Sequence, residues 1–470
     1  MSTTRGSSGG RCASRCDSRA LTASIVSRSR GRFRSPGIAW LSSSTAGRGD
    51  REWSKSWSES VGRTSSIRRW GHPCRCRRFH DDSPSASVES VGPVRREPGD
   101  LDPRSRSTTF QKEGAMTTID PDRSTQSLRL GLAAPLFAAP GIPAMRTPSL
   151  EKLDWPQTLE AIRSAEALGY DSVWFSDHLF HGRDGEFLES WTTLAAAAGA
   201  TTRIRLVNNH LGIGFRAAPL IAKMAATVDV IADGRFELFI SHGMREREHT
   251  SYGFDWLPDE DRRIARLAEA TDVIRALWTG RPVDHAGVYY RLEGALSTPV
   301  PAHDVPIWLG GPLSDSAVRL ITASADGWNA LPASLTEYAA QAARIDLACQ
   351  AIGRDPATLR RSLETQVLVL DDASGWDGWM TRWAELRDRA PLGFATSDMF
   401  PNGTAIDDPD AFTTSCLDNF IIGTRDEVAT KLAAYRALGV DEVVCWFMDW
   451  PLGDSLRTLA EDVRPMLSGT

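Results

Sequence analysis

The sequence has no run of 18 apolar residues, and its Arg68-Arg69 pair is followed by WGHPCRC rather than by an apolar segment. A membrane-spanning helix and a secretory signal are therefore not expected. Cysteine is sparse, with 7 in 470 residues. Four of these, Cys12, Cys16, Cys74 and Cys76, form two pairs about sixty residues apart with no folded pattern between them, which argues for scattered thiols rather than a zinc site. The other three, Cys349, Cys416 and Cys445, are an odd number, as a reducing compartment allows. The expectation is a soluble cytoplasmic protein without a disulfide framework or a bound metal.

Acidic residues are scarce at one end only. Residues 1–115 hold 22 Lys+Arg against 11 Asp+Glu, a surplus of +11, so residues 116–470 carry −17 of the net −6. The basic part is rich in Ser, Arg and Gly (SRSRGRFRSPG, RCRRFH) and has no apolar periodicity, which reads as a disordered extension. Met116 opens MTTIDPDRSTQ just before the first credible strand, so the extension is expected to reflect a misassigned start. On that reading neither nucleic-acid binding nor organelle targeting is expected of the folded part, residues 116–470.

From RLGLAAPL at 129–136 onward, short apolar runs alternate with helical ones. TLEAIRSAEAL places Leu159, Ile162, Ala165, Ala167 and Leu168 on a helical face, and Gly169 follows as a left-handed cap. The order strand, helix, strand, helix implies parallel pairing. ALGYDSVWF at 167–175 and ALGVDEVVCWF at 437–447 repeat one junction, as ADGRF at 232 and ADGWN at 325 repeat another. The fold class is therefore α/β, a (β/α)8 TIM barrel. A doubly wound sheet is the competitor, but its GxGxxG turn is missing: AAPLFAAPG follows the first strand. The stretch from Asp371 to Leu417 breaks the alternation and is expected to be an insertion over one end, of the kind that acts as a lid. Trp191, Trp376, Trp379 and Trp383 offer an apolar pocket, with core packing the favoured role for Trp191.

Barrel sites gather at the C-terminal ends of strands. Asp177 and His178 end the second strand, Asn208, Asn209 and His210 the third, and Ser241 and His242 the fourth. A hydrogen-bonded structural side chain explains any one of these. The set is better explained by a site, because unpaired buried polar groups cost free energy. VPIWLGG ends in Gly310-Gly311 before Pro312 and the helix SDSAVRL, which suits a phosphate at a helix start and equally suits a plain tight connection.

In this order, AEALGYDSVWFSDH, SWTTLAAAAGATTRIRL, FRAAPLIAKMAATVDVIADGRFEL, EHTSYGFDW, ALWTG, VPIWLGG and ADGW resemble the luciferase-like flavin-dependent oxidoreductases, and the run from AKMAAT through EHTSYG is most similar to the F420-using subgroup. The resemblance implies a barrel that holds F420, with FMN as the alternative, in its mouth. Hydride would pass between that ring and a small organic substrate, with or without O2. It implies Asp177 on the ring or ribityl chain, His178 as the catalytic proton donor or acceptor, Asn209 against the ring face and Gly310 and Gly311 on the phosphate. Ser241 and His242 count with the cofactor contacts, although FISHGMR departs from the family's Gly-x-Gly here and LVNNH departs from its usual third strand. Relatives commonly pair, so a homodimer is also implied. The runner-up is a metal-dependent barrel hydrolase built on His242, Glu246, Glu248 and His249 with Asp177 and His178. Against it, REREH reads as a solvated loop and the first strand lacks a His-x-His pair. A barrel that binds flavin without turnover is a third reading.

Overall fold

The computed structural model describes residues 127–389 and 409–467. The extension at 1–115, with its four cysteines, and PLGFATSDMFPNG at 391–403 lie outside the described residues.

The chain begins with β1 (Arg129–Ala133), α1 (Trp155–Ala167), β2 (Ser172–Ser176), α2 (Ser190–Ala200), β3 (Arg205–Asn209) and the two-residue β4 (Leu211–Gly212). It continues through α3 (Ala218–Ile231), β5 (Phe236–Ser241), the short α4 (Glu246–Ser251) and α5 (Glu260–Leu277). An antiparallel hairpin of β6 (Val283–Ala286) and β7 (Arg291–Ala295) precedes β8 (Ile307–Gly310), α6 (Asp315–Ser324), β9 (Gly327–Ala330), α7 (Leu335–Ala351) and β10 (Arg360–Leu370). Then come α8 (Gly375–Arg389), α9 (Pro409–Asn419), β11 (Ile421–Thr424), α10 (Arg425–Ala437) and β12 (Glu442–Phe447).

The strands β1, β2, β3, β5, β8, β9, β10 and β12 pair in that order, all parallel, and β12 returns to β1. Leu130 opposite Val443 and Arg360 opposite Gly327 are among the registers that close the ring. Closure into eight parallel staves is the expected TIM barrel, and it excludes the open doubly wound sheet.

Local signals explain why the alternation holds. In α1 the buried Thr158, Ala161, Ile162 and Ala165 recur at three- and four-residue spacing, and Gly169 adopts φ 78° to end the turn. Capping boxes start α7 (Ser334 with Glu337) and α10 (Thr424 with Glu427). The barrel interior is aromatic, with Trp174, Phe239, Trp308 and Trp446 packed together and the Trp174 and Trp308 rings edge to face at 5.4 Å.

Below these rings, at the N-terminal ends of the strands, lies a closed ionic layer. Arg205 donates to Glu237 at 2.7 Å and to Glu442 at 2.8 Å, Arg360 reaches Glu237 at 3.1 Å and Arg129 reaches Glu442 at 3.4 Å. Trp308 Nε1 donates to Glu237 at 2.6 Å, and the Ser172 hydroxyl donates to Glu442. Burial alone would raise the Glu442 carboxyl, but Arg205, Arg129 and Ser172 outweigh it and hold the group at about 2.

The expected tryptophan pocket is instead a small satellite core. Trp376 and Trp383 are buried against Leu368, Leu370, Leu386, Cys416, Ile422 and Met448, with Trp379 packed on the edge. Trp383 Nε1 donates to Ser149 Oγ at 2.8 Å. No helix among the described residues is long and apolar enough to cross a membrane.

Candidate active site

A cavity of about 460 Å³ opens at the C-terminal end of the barrel. Its wall is built from the segments that follow the strands. Phe137 and residues 144–146 come after β1, Ser176 to His178 end β2, and His210 follows β3. Ser241 and Gly243 to Arg245 follow β5, Gln366 points in from β10, and Ser415, Cys416, Asn419 and Phe420 come from α9 and its end. The stretch from Asp371 to Leu417 thus contributes part of the wall, but through α9 and not through its tryptophans.

His178 is where the sequence placed it. Its Nδ1 lies 3.1 and 3.2 Å from the two carboxylate oxygens of Glu248, and its side chain keeps 19% of its surface. Glu248 also accepts from the Leu179 N–H at 3.0 Å. Burial tends to raise the Glu248 carboxyl, but His178, Arg245 and the Leu179 N–H more than offset it, so the group stays below its ordinary value and is charged at neutral pH. A charged acceptor on Nδ1 fixes the tautomer and leaves Nε2 for the cavity. His181 stacks on His178 with ring centroids 4.9 Å apart, and burial and the neighbouring His178 and Arg245 push its pKa well below the ordinary range.

Asp177 lines the cavity, but its carboxylate is committed: Arg216 donates to its two oxygens at 2.8 and 3.0 Å. Burial lowers the Arg216 pKa, and Asp177 with Glu189 raises it by more. The pair is a buried clamp holding the β2 end to the segment after β4. Ser241 also lines the cavity, with long hydroxyl contacts to the His210 and Leu211 carbonyls at 3.4 and 3.5 Å.

Asn209, His242, Gly310 and Gly311 are not among the lining residues. Asn209 is fully buried one layer down, where its Nδ2 donates to Glu364 at 2.9 Å and its Oδ1 has no partner among the described residues. Gly310 is required by packing, since a Cβ there would lie 2.5 Å from the Asn329 carbonyl oxygen. Gly311 has φ 108° and open space, with His242 Cε1 4.0 Å and Met244 Sδ 3.8 Å from where a Cβ would stand. Through Met244, which does line the cavity, the Gly310-Gly311 turn lies on the same rim as His178.

REREH is not the solvated loop expected. It enters α4, where Glu248 and His249 are 3% and 1% exposed. Among the described residues no three His, Cys, Asp or Glu side chains are grouped to hold a metal ion, so the hydrolase ligand set does not assemble.

The floor holds Glu364, Gln366 and Arg146, which sequence reasoning missed, beside His210, which it named among the strand ends. Glu364, fully buried in the middle of β10, accepts from Trp446 Nε1 and Asn209 Nδ2, both at 2.9 Å, and pairs with Arg146. His210 Nε2 is 3.2 Å from the same carboxylate, and burial and Arg146 depress its pKa to about 3. His210 also carries φ 57°, a left-handed backbone that is uncommon outside glycine and concentrates at functional sites. One signal was present in the sequence: Glu364 and Gln366 alternate within SLETQVLVL, which places two polar residues on the inner face of an apolar strand.

The family model of the luciferase-like monooxygenases matches residues 129–442, from β1 to the first residue of β12. The chain belongs to this family. It is 40% identical over 157 residues to the F420-dependent glucose-6-phosphate dehydrogenase of Nocardia farcinica, covering 32% of this chain and 46% of that protein. To the F420-dependent hydroxymycolic acid dehydrogenase of Mycobacterium tuberculosis it is 30% identical over 213 residues, covering 45% of this chain and 58% of that one. The chain thus spans about half the length of the curated relatives it matches. Among solved structures, an F420-dependent secondary alcohol dehydrogenase in complex with an F420–acetone adduct shares the fold. Its TM-score is 0.57 at 18% identity, over 72% of this chain and 98% of that one.

Proposed function

We propose that residues 116–470 form an F420-dependent oxidoreductase that moves a hydride between the deazaflavin and a small organic substrate, with FMN as the alternative cofactor. The single observation that carries this reading is the Glu248–His178 pair, an imidazole fixed by a charged carboxylate and turned into a cavity at the barrel mouth. The matched relatives named as F420-dependent favour the deazaflavin over FMN.

The residues present suit such a ring. Phe137, Phe215, Phe420 and Met145 supply apolar surface, the volume lies within the range of small-molecule sites, and Gln366 Oε1 is a buried acceptor without a partner among the described residues. When bound, the deazaflavin supplies the carbon that gives or takes hydride. The chain's own work is to orient the substrate, exclude water and move a proton. His178 Nε2 takes the proton from a substrate hydroxyl as it becomes a carbonyl, or returns it in reverse, and Glu248 stabilises the imidazolium that forms. Asp177 and Arg216 keep the β2 end rigid, and Gly311 leaves room for a phosphate at the start of α6.

The same reading includes a cytoplasmic homodimer that binds no nucleic acid through its folded part. Cys349, Cys416 and Cys445, buried and outside any disulfide, and the half-exposed Leu220, Val230 and Ile231 on α3 support it. The test is titration of the purified chain with F420 and with FMN while following cofactor fluorescence. Saturable quenching of F420 with weaker response from FMN is expected. Tight FMN binding alone would reassign the cofactor, and no binding of either would end the proposal.

A further inference from the structure

Arg146 is a charged side chain with no task in the chemistry above. It sits in the segment after β1, which is drawn across the barrel mouth onto β10 by two bonds. Gln366 Nε2 donates to the Ala144 carbonyl at 3.1 Å, and Arg146 pairs with Glu364. Glu364 and Gln366 are two residues apart on one strand and so face the same interior. The guanidinium also lies over the Trp446 ring, 4.9 Å from its centroid, and keeps 25% of its side-chain surface, on the cavity side. Among the described residues Glu364 is its only hydrogen-bonding partner, and that carboxylate is shared with Trp446, Asn209 and His210.

We propose that Arg146, held in place by Glu364 and Trp446, is a substrate-recognition residue that receives an oxyanion, a carboxylate or a phosphate, carried by the substrate. Guanidinium geometry suits such a group, because its paired N–H donors match two oxygens at once. A further observation concerns the rest of the substrate. Gln366 Oε1, 3% exposed and on the same floor, has no partner among the described residues and, as an acceptor, suits a hydroxyl or N–H donor on the substrate beside the anion. Arg245 also lines the cavity, so a second guanidinium-bearing residue borders the same space, and burial together with Arg245 lowers the Arg146 pKa to about 9.

The proposal rests on the functional reading above in placing the oxyanion on the substrate and not on the cofactor. Arg146 is anchored over β10 and β12 through Glu364 and Trp446, two and three strands round the ring from β8, which carries the Gly310-Gly311 turn assigned to the cofactor phosphate.

The experiment is calorimetric titration of the full chain, with and without F420, using benzoate, phenyl phosphate and the neutral benzamide. Alongside it, F420 fluorescence quenching is followed in Arg146→Met, Arg146→Lys and the double variant Arg146→Met with Glu364→Gln. In the wild type, benzoate or phenyl phosphate is expected to bind at least about tenfold more tightly than benzamide. Whichever anion does so identifies the oxyanion. Arg146→Met should erase the preference, and Arg146→Lys should keep part of it. The double variant, which leaves no unpaired buried charge, should also lack the preference while unfolding at the wild-type temperature. F420 quenching should be unchanged throughout. Equal affinity for all three probes in the wild type, or a preference that survives in Arg146→Met, would overturn the proposal. So would a loss of F420 binding as large as the loss of anion binding, which would give Arg146 to the cofactor. Failure of F420 and FMN to bind the wild type would sink the oxidoreductase reading while leaving the anion arm, run without cofactor, still decisive.

Discussion

The two ends of this barrel carry similar side chains and put them to opposite use. At the N-terminal end Arg129, Arg205 and Arg360 meet Glu237 and Glu442, and almost every hydrogen-bonding position is filled by another group of the chain. At the C-terminal end Arg146, His178, His210 and Gln366 face a cavity, and His210 Nε2 and Gln366 Oε1 have no hydrogen-bond partner among the described residues. Burial depresses imidazoles and guanidinium alike at this end, while at the other the carboxylates hold Arg205 above its ordinary value against its burial. A polar group completed from within contributes to stability. One left incomplete marks a place where a ligand completes it.

The comparison breaks most readily at the closed end. Glu442→Ala would leave Arg205 and Arg129 short of a carboxylate and is expected to cost about 3–5 kcal/mol, measured by urea unfolding. F420 affinity of the folded fraction should not change, and a loss of affinity as large as the loss of stability would mean the two ends are not separable. The same carboxyl sets an acid limit. Its folded pKa, about 2, lies below its ordinary value, so its contribution is fully present above the unfolded pKa and is lost as pH falls through the folded one. Unfolding midpoints followed downward from neutral pH should therefore drop in acid in the wild type, and the drop should be shallower in Glu442→Gln.

At the open end the expectation reverses. His178→Ala should lower turnover by about 10²–10⁴-fold, the range for losing a general acid–base, while the unfolding midpoint and F420 affinity hold. Glu248→Gln keeps an acceptor for Nδ1 but removes the charge, so its turnover should fall between the two. Steady-state kinetics with any substrate that reduces or oxidises F420 would read both. If the alanine variant keeps full turnover, His178 is a structural side chain like those of the closed end.

Much of this contrast could be read from residue order. The barrel was legible because strand and helix periods alternate and the αβ junctions repeat. His178 was legible because a polar pair ended an apolar strand. What escaped depends on contacts between distant segments. Arg146 sits in a Pro-rich loop with no periodicity, and only closure of the ring brings Glu364, 218 positions later, beneath it. Glu248 was noticed for its neighbours in REREH, a cluster whose burial no charge pattern reveals. The tryptophans of α8 misled for a related reason: a large apolar side chain beside an expected site fits a pocket wall and a core equally well until packing is known.

The glycine turn sharpens the comparison on a smaller scale. Gly310→Ala should destabilise by about 1–3 kcal/mol, because the new methyl would press on the Asn329 carbonyl and on Phe239 Cζ, 2.9 Å away. Gly311→Val meets no atom closer than 3.8 Å but is strained by the φ of 108°, so it should cost stability as well and, unlike Gly310→Ala, also weaken cofactor binding. Thermal unfolding and fluorescence titration of the two variants separate packing from binding at adjacent positions. Equal effects of both variants on both measurements would mean the turn does not divide in this way.

The smallest expected effect tests the satellite core. Ser149→Ala keeps the Trp383 ring against Trp376 and Trp379, 5.8 and 5.6 Å away between centroids, and deletes only the acceptor of the Trp383 Nε1 N–H. Trp383 is fully buried, so its N–H would lose its partner at a cost of about 1 kcal/mol. Because α9, not α8, supplies this region's wall of the cavity, F420 affinity and the anion preference should both remain at the wild-type level. A shift in either binding constant larger than the shift in stability would show that the satellite core shapes the cavity. The insertion would then belong with the open end of the molecule, as its tryptophans first suggested.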